Sequence, residues 1–536
     1  MIMKRMVVCL VGMLLAAGTV LAADSLVVQT QSGRVLGTLQ EGTMAFLGIP
    51  YARVERFMPP QPVRWKGVRE CTQWGPMTMQ PSGRPEEMSE QCCVLNVWTT
   101  ALPSSPMQGK SARPDTKLRP VMFWLHGGGF DSGTSAWDPG MCLANKDVVV
   151  VSVNHRLNIL GFLDLSTCGK KYKYSGNVGM LDVVAALEWV RDNIAQFGGD
   201  PANVTVFGES GGGGKVGTLL CMPRARGLFH KAIIMSGTIL NVNTKAMTEQ
   251  LGEAVLKELG LTKKTVDKIR AVSYNDLYAA GQRAMAASIG TRRPGTPMMW
   301  GFGPTPDGEV LLQQPFQPAF ADLSDDIPIL IGTTFNELQR PRYDQLPTFL
   351  QARTELQRTF GDDTDAYISA FLEAYPDRPL RTLPADLLCI DWLFRPKTLI
   401  TADAIGGRRK ADTYVYMFTL GERDARGYKG SAHGAELKYC FGVLHHYREL
   451  ANQPANDNLR YWNDMMSTIW AKFAHDGNPN TVGTEWQPYT RENGFLMELG
   501  CGVGPVVRRE HDRHLEEIID RHCFLQLDEF RKKQGK

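Results

Sequence analysis

The chain has 536 residues, of which 43% are hydrophobic and 21% are charged, and its formal net charge at pH 7 is +3. This length allows either several domains or one large α/β domain with insertions. The small net charge and the lack of a long basic run argue against a nucleic-acid partner, and the sequence has no internal repeat or low-complexity segment.

The first 22 residues have the features of a secretory signal peptide. Lys4 and Arg5 precede an apolar run over residues 6–17, and small residues allow cleavage after Ala22. The run is short for a membrane span, and polar positions follow it. We therefore expect a secreted or periplasmic protein without stable membrane insertion. Because no linker divides the remaining chain, residues 23–536 are expected to form a single domain.

The elements that follow alternate between strands and helices. Turn residues between apolar runs predict an N-terminal antiparallel hairpin over residues 26–46. Apolar and β-branched runs predict the next strands, and apolar residues at helical spacing predict helices between them. The predicted strands lie at residues 120–125, 147–154, 204–207, 231–237, 327–332 and 413–418. Strands that alternate with helices predict a mostly parallel central sheet with helices on both faces.

Two stretches are expected to be helical cap insertions above this sheet. They lie near residues 240–317 and 338–410, where the pattern becomes helical or irregular. Amphipathic helices are predicted near the end of the chain, at residues 461–474 and 512–530.

The stretch from Val204 to Gly212 carries the strongest functional signal. A β-branched and aromatic segment leads into the motif Gly-Glu-Ser-Gly-Gly, centred on Ser210, and a helical pattern follows. Strand, sharp turn and helix form the context that a nucleophile elbow requires. Gly208 and Gly212 leave space for the strained turn. The helix directs its first N–H groups towards Ser210, which favours a developing oxyanion.

The residues from Phe197 to Ser210, FGGDPANVTVFGES, resemble those of the type-B carboxylesterase/cholinesterase family. The resemblance extends from about Gly33 to beyond His433. It implies the α/β-hydrolase fold and a serine esterase. In such enzymes the catalytic residues follow the chain order serine, acid, histidine.

A serine hydroxyl needs a general base, and the chain order places that base late in the sequence. The segment GSAHGAEL follows the last predicted strand and resembles the histidine loop of the family, which makes His433 the expected base. His126 and His155 lack the required chain order. Six other histidines lie in or near helical patterns and are expected to be surface or packing residues: His445, His446, His475, His511, His514 and His522.

The acid is expected after the strand near residue 330. There the chain contains GTTFNEL where the family has Gly-x-x-x-Asp-Glu-Gly, so the resemblance makes Glu337 the acid that orients the base. Asn336 and Leu338 depart from that pattern. Asp307 is the competing acid, but its Thr-Pro-Asp-Gly context is typical of a turn.

The motif HGGG at residues 126–129 matches the glycine-rich oxyanion motif of esterases. The resemblance implies that the backbone N–H groups of Gly128, Gly129 and Gly211 stabilise the oxyanion. Gly211 stands where the family usually has alanine. We expect this glycine, with Gly213 and Gly214 after it, to loosen the helix start and widen the acyl pocket.

Ten of the eleven cysteines remain after removal of the signal peptide. The resemblance implies a disulfide ending at Cys92, but the usual upstream position has no cysteine, and Cys71 is the nearest substitute. A Cys71–Cys92 bond and two free buried thiols both remain open.

Together these features predict a secreted serine carboxylesterase that cleaves a small-molecule ester through an acyl-enzyme intermediate. A lipase and an amide or thioester hydrolase of the same fold are alternatives, because the triad chemistry does not separate them. A non-catalytic binding protein is a further alternative, but such relatives typically lose a triad residue. No cofactor or metal is expected, since no such motif is present, and the sequence does not predict the oligomeric state.

The substrate is expected to be selected by the two cap insertions. Four apolar residues of the first insertion could line a substrate pocket or belong to the core: Met298, Met299, Trp300 and Phe302.

Overall fold

An eleven-stranded sheet runs through the centre of the computed structural model. The described part of the chain lies between Leu26 and Cys523, so the predicted signal peptide is outside it. The described residues are 26–103, 117–289, 301–316, 322–338, 345–407, 409–423, 428–447, 457–481, 483–500, 504–509 and 511–523.

The strands are numbered here in chain order. They are β1 (Val27–Gln29), β2 (Arg34–Leu36), β3 (Thr38–Gln40), β4 (Thr43–Pro50), β5 (Ala52–Arg53), β6 (Gln61–Pro62), β7 (Val68–Glu70), β8 (Val94–Thr99), β9 (Arg119–Leu125), β10 (Val149–Val153), β11 (Gly199–Glu209), β12 (Lys231–Met235), β13 (Ile329–Thr334), β14 (Thr413–Phe418), β15 (Glu422–Arg423), β16 (Lys429–Gly430), β17 (Phe495–Leu499) and β18 (Val506–Arg509).

The α-helices are numbered in the same way. They are α1 (Met141–Ala144), α2 (Asn158–Phe162), α3 (Val178–Asn193), α4 (Gly211–Leu219), α5 (Lys245–Glu258), α6 (Tyr274–Ile289), α7 (Phe349–Phe360), α8 (Thr364–Ala374), α9 (Leu383–Cys389), α10 (Arg395–Ile405), α11 (Leu437–Cys440), α12 (Asp457–Asp476) and α13 (Arg513–Cys523).

The large sheet has the strand order β18-β17-β14-β13-β12-β11-β9-β10-β8-β4-β3. The seven strands from β17 to β10 run parallel. The strands outside them pair antiparallel with their neighbours, β18 at one edge and β8, β4 and β3 at the other. This arrangement confirms the predicted mostly parallel sheet.

Both faces of the sheet are covered by helices. Phe123 of β9 lies in one core cluster with Leu187 of α3, and the next residue, Trp124, lies in a second cluster with Trp470 of α12. Successive residues of a strand point to opposite faces, so the two clusters are the two sides of the sheet. Strands buried on both faces require near-continuous apolar runs, which is why β9 and β10 were predictable from sequence.

The predicted N-terminal hairpin is two hairpins. β1 pairs antiparallel with β2 in a small sheet that also contains β7, whereas β3 pairs with β4 at the edge of the large sheet. The chain changes sheets at Gly37, where a Cβ atom would lie 2.7 Å from the Phe46 ring. The turn before β4 contains Glu41 and Gly42, both with positive φ, which suits a tight hairpin turn.

Strands β8, β17 and β18 were not predicted from the sequence. β8 is buried along its whole length, but β18 is short and alternates between exposed and half-buried residues. Its pattern is weak because an edge strand has only one neighbour and one covered face.

The predicted insertions contain helices. α5 and α6 lie between β12 and β13, and α7 to α10 lie between β13 and β14. Among the described helices, none is both long enough and apolar enough to span a membrane.

The carboxyl ends of four parallel strands carry the predicted site residues. β9 leads into the glycine motif at 126–129, β11 into Ser210, β13 into Glu337, and β14 precedes the loop that contains His433. Parallel strands place these ends at one edge of the sheet, where open α/β sheets bind their ligands.

Candidate active site

Ser210 occupies the sharp turn between β11 and α4. Its backbone has φ 55° and ψ −122°, a conformation that non-glycine residues rarely adopt. The backbone N–H of Ser210 donates a hydrogen bond to the carbonyl of Met235, at 2.9 Å. Strained backbone of this kind costs about 1–3 kcal/mol and persists where the surrounding structure enforces it. The turn exposes the side chain of Ser210 to a cavity at the edge of the sheet.

The glycines on either side of Ser210 are required by close packing. A Cβ atom on Gly208 would lie 2.4 Å from the backbone of Gly212, and one on Gly212 would lie 1.9 Å from the carbonyl oxygen of Leu125. These contacts with backbone atoms cannot be relieved by turning a side chain. The motif is therefore needed for the turn itself.

The glycine loop after β9 lies beside Ser210. Gly128 and Gly129 have φ values of 83° and 66°. Among the described residues, no acceptor takes the backbone N–H of Gly128 or Gly129. The segment that follows the loop is fixed by the side chain of Gln80, which donates to the carbonyl of Gly133 at 3.0 Å and accepts from its N–H at 2.8 Å. Both glycines therefore offer free donors at the cavity.

Gly211 does not widen the acyl pocket. A Cβ atom at this position would lie 2.2 Å from the carbonyl oxygen of Gly129 and 2.4 Å from its nitrogen. The space left by the missing side chain is filled by the glycine loop, which approaches the start of α4. Gly214 is packed as well, since its Cβ would lie 2.1 Å from the side chain of Ile239. The expectation of a wider acyl pocket is therefore wrong: the missing side chain lets the glycine loop lie closer to the start of α4.

His433 is joined to Glu337 by its side chain and by its backbone. Its Nδ1 is hydrogen-bonded to Oε2 of Glu337, and its N–H donates to the carbonyl of Glu337, at 2.9 Å. Glu337 is fully buried and has φ 48°. Its other oxygen, Oε1, accepts the N–H of Thr334, at 2.7 Å. Both carboxylate oxygens are thus engaged, which orients the imidazole.

Asn336, which departs from the family pattern, ties the two loops together. Its side-chain amide donates to the carbonyl of Cys389 at 2.8 Å and to the hydroxyl of Tyr428 at 2.9 Å, while its oxygen accepts the N–H of Ser431 at 2.6 Å. An aspartate could not donate to the Cys389 carbonyl. The asparagine therefore fits this site without removing the acid that follows it.

The other ring nitrogen of His433 faces Glu209, the residue before Ser210. Nε2 lies 3.1 Å from Oε1 of Glu209, which is an ion-pair distance, but the two atoms lack hydrogen-bond geometry. Ser210 Oγ makes no hydrogen bond to His433 among the described contacts. Catalytic hydrogen bonds are often long or poorly aligned when no substrate is bound.

Burial and neighbouring carboxylates shift the pKa values of this group. Burial disfavours the His433 cation, but the bond to Glu337 and the charges of Glu209 and Glu337 outweigh it and raise the pKa of His433 to about 9. Burial raises the pKa of Glu209 to about 8 and that of Glu436 to about 7. The site therefore favours a protonated imidazole, which is the form that a general base reaches after taking a proton.

The cavity beside Ser210 has a volume of about 450 Å³. The ring of Phe394 stacks on His433, with 5.0 Å between ring centroids and 12° between planes. The cavity is lined by Gly127, Gly128, Gly129, Trp137, Asp138, Glu209, Ser210, Gly211, Gly237, Ile239, Leu338, Phe394, His433 and Leu437. No sequence motif indicated Trp137, Ile239 or Phe394, because each is brought to the cavity by long-range packing.

The remaining candidates lie elsewhere. Asp307 accepts the backbone N–H groups of Glu309 and Val310, at 3.0 and 2.7 Å, which is the turn role favoured above. Phe302 belongs to the core. Met298, Met299 and Trp300 lie outside the described residues. Cys71 and Cys92 are free, buried thiols, so the structure contains no bond between them.

Lys215 is a residue of this region that sequence reasoning missed. It lies in the second turn of α4 with no solvent exposure, and its Nζ donates to the carbonyl of His126 at 2.9 Å. Burial lowers the pKa of Lys215 to about 7, against the opposing charge of Glu209. A lysine among glycines and apolar residues, shortly after the elbow, was the sequence feature that could have indicated this buried residue.

Residues 24–514 match the Carboxylesterase family. Two similar proteins are the para-nitrobenzyl esterase of Bacillus subtilis (strain 168) and the fumonisin B1 esterase of Sphingopyxis macrogoltabida. The first is 33% identical over 507 residues, which cover 89% of this chain and 95% of the relative. The second is 33% identical over 505 residues, which cover 89% of this chain and 87% of the relative.

Solved structures show the same similarity. An esterase from Clostridium hathewayi, described as able to hydrolyse aliphatic aromatic polyesters, superposes with a TM-score of 0.79 at 33% identity, over 92% of this chain and 98% of the other. A structure of PNB esterase superposes with a TM-score of 0.72 at 30% identity, over 92% of this chain and 99% of the other.

Proposed function

The chain belongs to the carboxylesterase family and is a carboxylic ester hydrolase of the α/β-hydrolase fold, and we propose that it cleaves esters through Ser210, His433 and Glu337. The observation that carries this proposal is the convergence at one cavity. A strained serine, a histidine bonded to a buried glutamate, and two free backbone donors all meet there.

In the first half of the reaction, His433 takes the proton of Ser210 while Oγ forms a bond to the ester carbonyl carbon. The N–H groups of Gly128, Gly129 and Gly211 stabilise the oxyanion. The carbon–oxygen bond to the alcohol then breaks, and His433 gives its proton to the leaving alcohol. An acyl-Ser210 intermediate remains.

In the second half, a water molecule takes the place of the alcohol. His433 removes a proton from that water as its oxygen attacks the acyl carbon, and the same donors stabilise the second oxyanion. The bond to Ser210 breaks, His433 returns the proton to Oγ, and the carboxylic acid leaves. Glu337 stabilises the imidazolium throughout without taking its proton.

Before the first proton transfer, Nε2 of His433 must turn from Glu209 towards Ser210. The two targets belong to adjacent residues, and the ion pair with Glu209 lacks hydrogen-bond geometry. Because Glu209, Ser210 and His433 line the same cavity, a rotation of the imidazole connects the observed arrangement with the reactive one.

The test is hydrolysis of p-nitrophenyl esters of increasing acyl length by the wild type and by Ser210→Ala. We expect the variant to lose about 10⁶-fold in kcat, while its thermal unfolding stays close to that of the wild type. Ser89→Ala, which changes a serine outside the cavity, is the matched control and should keep full activity. Retained turnover in Ser210→Ala would refute the assignment.

The same experiment separates the alternatives. Acylation of Ser210, seen as a mass increase of the intact protein after a stopped reaction, would support the covalent intermediate. Higher rates on emulsified long-chain esters than on soluble short-chain esters would indicate a lipase, and cleavage of anilides or thioesters would indicate the other hydrolases. No turnover on any substrate by the folded wild type would favour a binding protein.

We also propose that the protein is exported. The support is the sequence of the first 22 residues, which precede the described part of the chain. Expression in a bacterial host should yield a periplasmic or secreted protein that begins at Ala23. A full-length chain that stays in the cytoplasm would contradict this proposal.

A further inference from the structure

A glutamate, a cysteine and two histidines meet at the protein surface, away from the cavity. Glu41 lies in the turn between β3 and β4, Cys142 lies in α1, and His445 and His446 lie in a 3-10 turn at residues 444–446. More than 300 residues separate Cys142 from His445, so no sequence motif could reveal this cluster.

The ligand atoms of this cluster are close together. His445 Nε2 lies 3.0 Å from Glu41 Oε2, and Cys142 Sγ lies 3.8 Å from the same oxygen. One donor atom from each of these three residues lies within 4.8 Å of the other two. His446 Nε2 is hydrogen-bonded to the other oxygen of Glu41, at 2.6 Å.

These donors match the chemistry of zinc. Thiolate, imidazole and carboxylate are its usual protein ligands, at about 2.0–2.3 Å in tetrahedral geometry. A tetrahedron with those bond lengths places neighbouring ligand atoms roughly 3.3–3.8 Å apart. The observed separations of 3.0 and 3.8 Å bracket this range. One carboxylate and one thiolate would also neutralise the charge of the ion.

The surrounding backbone holds the donors in place. The hydroxyl of Thr43 donates to the carbonyl of Met141 at 3.2 Å, which fixes β4 against α1. The N–H of Leu444 donates to the side chain of Asn463 at 3.1 Å, and a Cβ atom on Gly442 would contact the Cβ of Cys142 at 3.5 Å. The histidine segment is therefore packed directly against the cysteine.

Ion pairing alone accounts for Glu41 and the two histidines, but it gives no reason for a thiol directed at the same carboxylate oxygen. We propose that Glu41, Cys142 and His445 bind a zinc ion, with solvent as the fourth ligand. His446 orients Glu41 through its second oxygen, as outer partners of metal ligands commonly do. The ion links the N-terminal edge of the sheet to the segment that follows His433 and Leu437.

The test uses ZnCl₂ with the chelator-treated full-length protein in isothermal titration calorimetry. We expect one zinc ion per chain. Cys142→Ser and His445→Ala should each weaken binding by more than about 10-fold, and His446→Ala should weaken it by about 10-fold. Cys168→Ser and His522→Ala are the matched controls, since Cys168 is another half-buried free thiol and His522 pairs with Asp363 elsewhere.

Two further readouts separate a loss of zinc binding from a loss of folding, and neither requires an activity assay. Metal-free wild type and Cys142→Ser should unfold at the same temperature, and zinc should raise that temperature only in the wild type. Co²⁺ added in place of zinc should give a thiolate charge-transfer absorption that Cys142→Ser lacks. Equal zinc affinity in the wild type, Cys142→Ser and His445→Ala would overturn the proposal.

A different observation concerns Lys215. Its Nζ holds the carbonyl of His126, the residue that enters the glycine loop, and it lies 5.6 Å from the ring of Phe130, the residue that leaves the loop. The rings of His126 and His155 stack beside it with centroids 5.4 Å apart, and burial lowers the pKa of both histidines well below the ordinary value. Lys215 therefore contacts both ends of the glycine loop.

We infer that Lys215 is a positioning residue for the oxyanion hole of the proposed reaction. By fixing the His126 carbonyl, it sets the direction of the following N–H groups, which are the donors of the oxyanion hole. This inference depends on the proposed function.

The test compares Lys215→Met with Lys231→Met, which changes another buried lysine outside the cavity. Lys215→Met should lower kcat by about 10²-fold with little change in KM. It should also lower, by a similar factor, the affinity for a trifluoromethyl ketone inhibitor, whose bound form mimics the oxyanion. Acylation of Ser210 should still occur slowly, which separates this result from failure of the proposed function. Equal loss of substrate and ketone affinity, or equal effects of the two variants, would overturn the inference.

Discussion

Two glutamate–histidine clusters in this protein contain the same chemical groups in opposite environments. At the cavity, His433 is bonded to Glu337, a carboxylate with no solvent exposure. At the surface, His445 and His446 are bonded to Glu41, whose side chain is 45% exposed. The first cluster lies at the carboxyl ends of the parallel strands, and the second lies at the antiparallel edge of the sheet.

In both clusters the hydrogen bonds favour the charged form of one partner, and the clusters differ in how far they are buried. In the buried cluster, the carboxylates overcome the cost of burial and raise the pKa of His433 to about 9. In the exposed cluster, the bonds to His446 and His445 lower the pKa of Glu41. Solvent screens exposed charges, so pairs of this kind contribute little to stability. Only the buried pair can orient and tune a general base.

The largest expected effect comes from breaking the buried cluster. Glu337→Gln should lower kcat by about 10³- to 10⁴-fold, because a neutral amide no longer stabilises the imidazolium or selects its tautomer. Steady-state hydrolysis of a p-nitrophenyl ester measures the loss. Glu41→Gln is the matched control, and a similar loss in that variant would show that the two clusters do not differ as described.

The second largest loss of activity is expected from displacing the glycine loop while both clusters stay intact. Gly211→Ala should lower kcat by about 10²- to 10³-fold, because its Cβ would displace the backbone of Gly129. The control is Gly217→Ala in the same helix, where the new Cβ would meet Phe316 at an ordinary 3.5 Å. An active Gly211→Ala enzyme with altered acyl-length preference would restore the pocket-widening explanation.

The pH profile sharpens the comparison, because it reports the pKa of the buried histidine. His433 must lose its proton to act as a base, so kcat/KM should rise with pH and level off above about 9. At pH 7 it should be roughly 1% of the plateau value. Glu209→Gln removes a nearby negative charge and should move the midpoint to lower pH. A midpoint unchanged in that variant would contradict the role given to Glu209.

The smallest effect is expected at the exposed cluster. In metal-free protein, Glu41→Gln should change the free energy of unfolding by less than about 1 kcal/mol, because its ion pairs with His445 and His446 are open to solvent. Urea denaturation followed by intrinsic fluorescence measures this change. A loss of several kcal/mol would mean that the exposed cluster is as tightly coupled to the fold as the buried one.

The sequence by itself determined the family, the fold class and the three triad candidates. Its local signals were strong because each arises from neighbouring residues. Buried parallel strands require apolar runs, and the elbow requires small residues around Ser210. In this fold the acid follows the serine in the chain and the histidine follows the acid, which indicated where to look for both. The family and the fold class are confirmed, whereas the roles of Ser210, Glu337 and His433 remain proposals.

Only the tertiary structure decided how these candidates are surrounded. It brought Glu209 to His433, stacked Phe394 on the imidazole, buried Lys215 beneath the glycine loop, and set the backbone of Gly129 against Gly211. It also gathered the surface cluster from three distant segments. Contacts of this kind depend on packing between segments far apart in the chain, and no periodicity or local motif records which segments will meet.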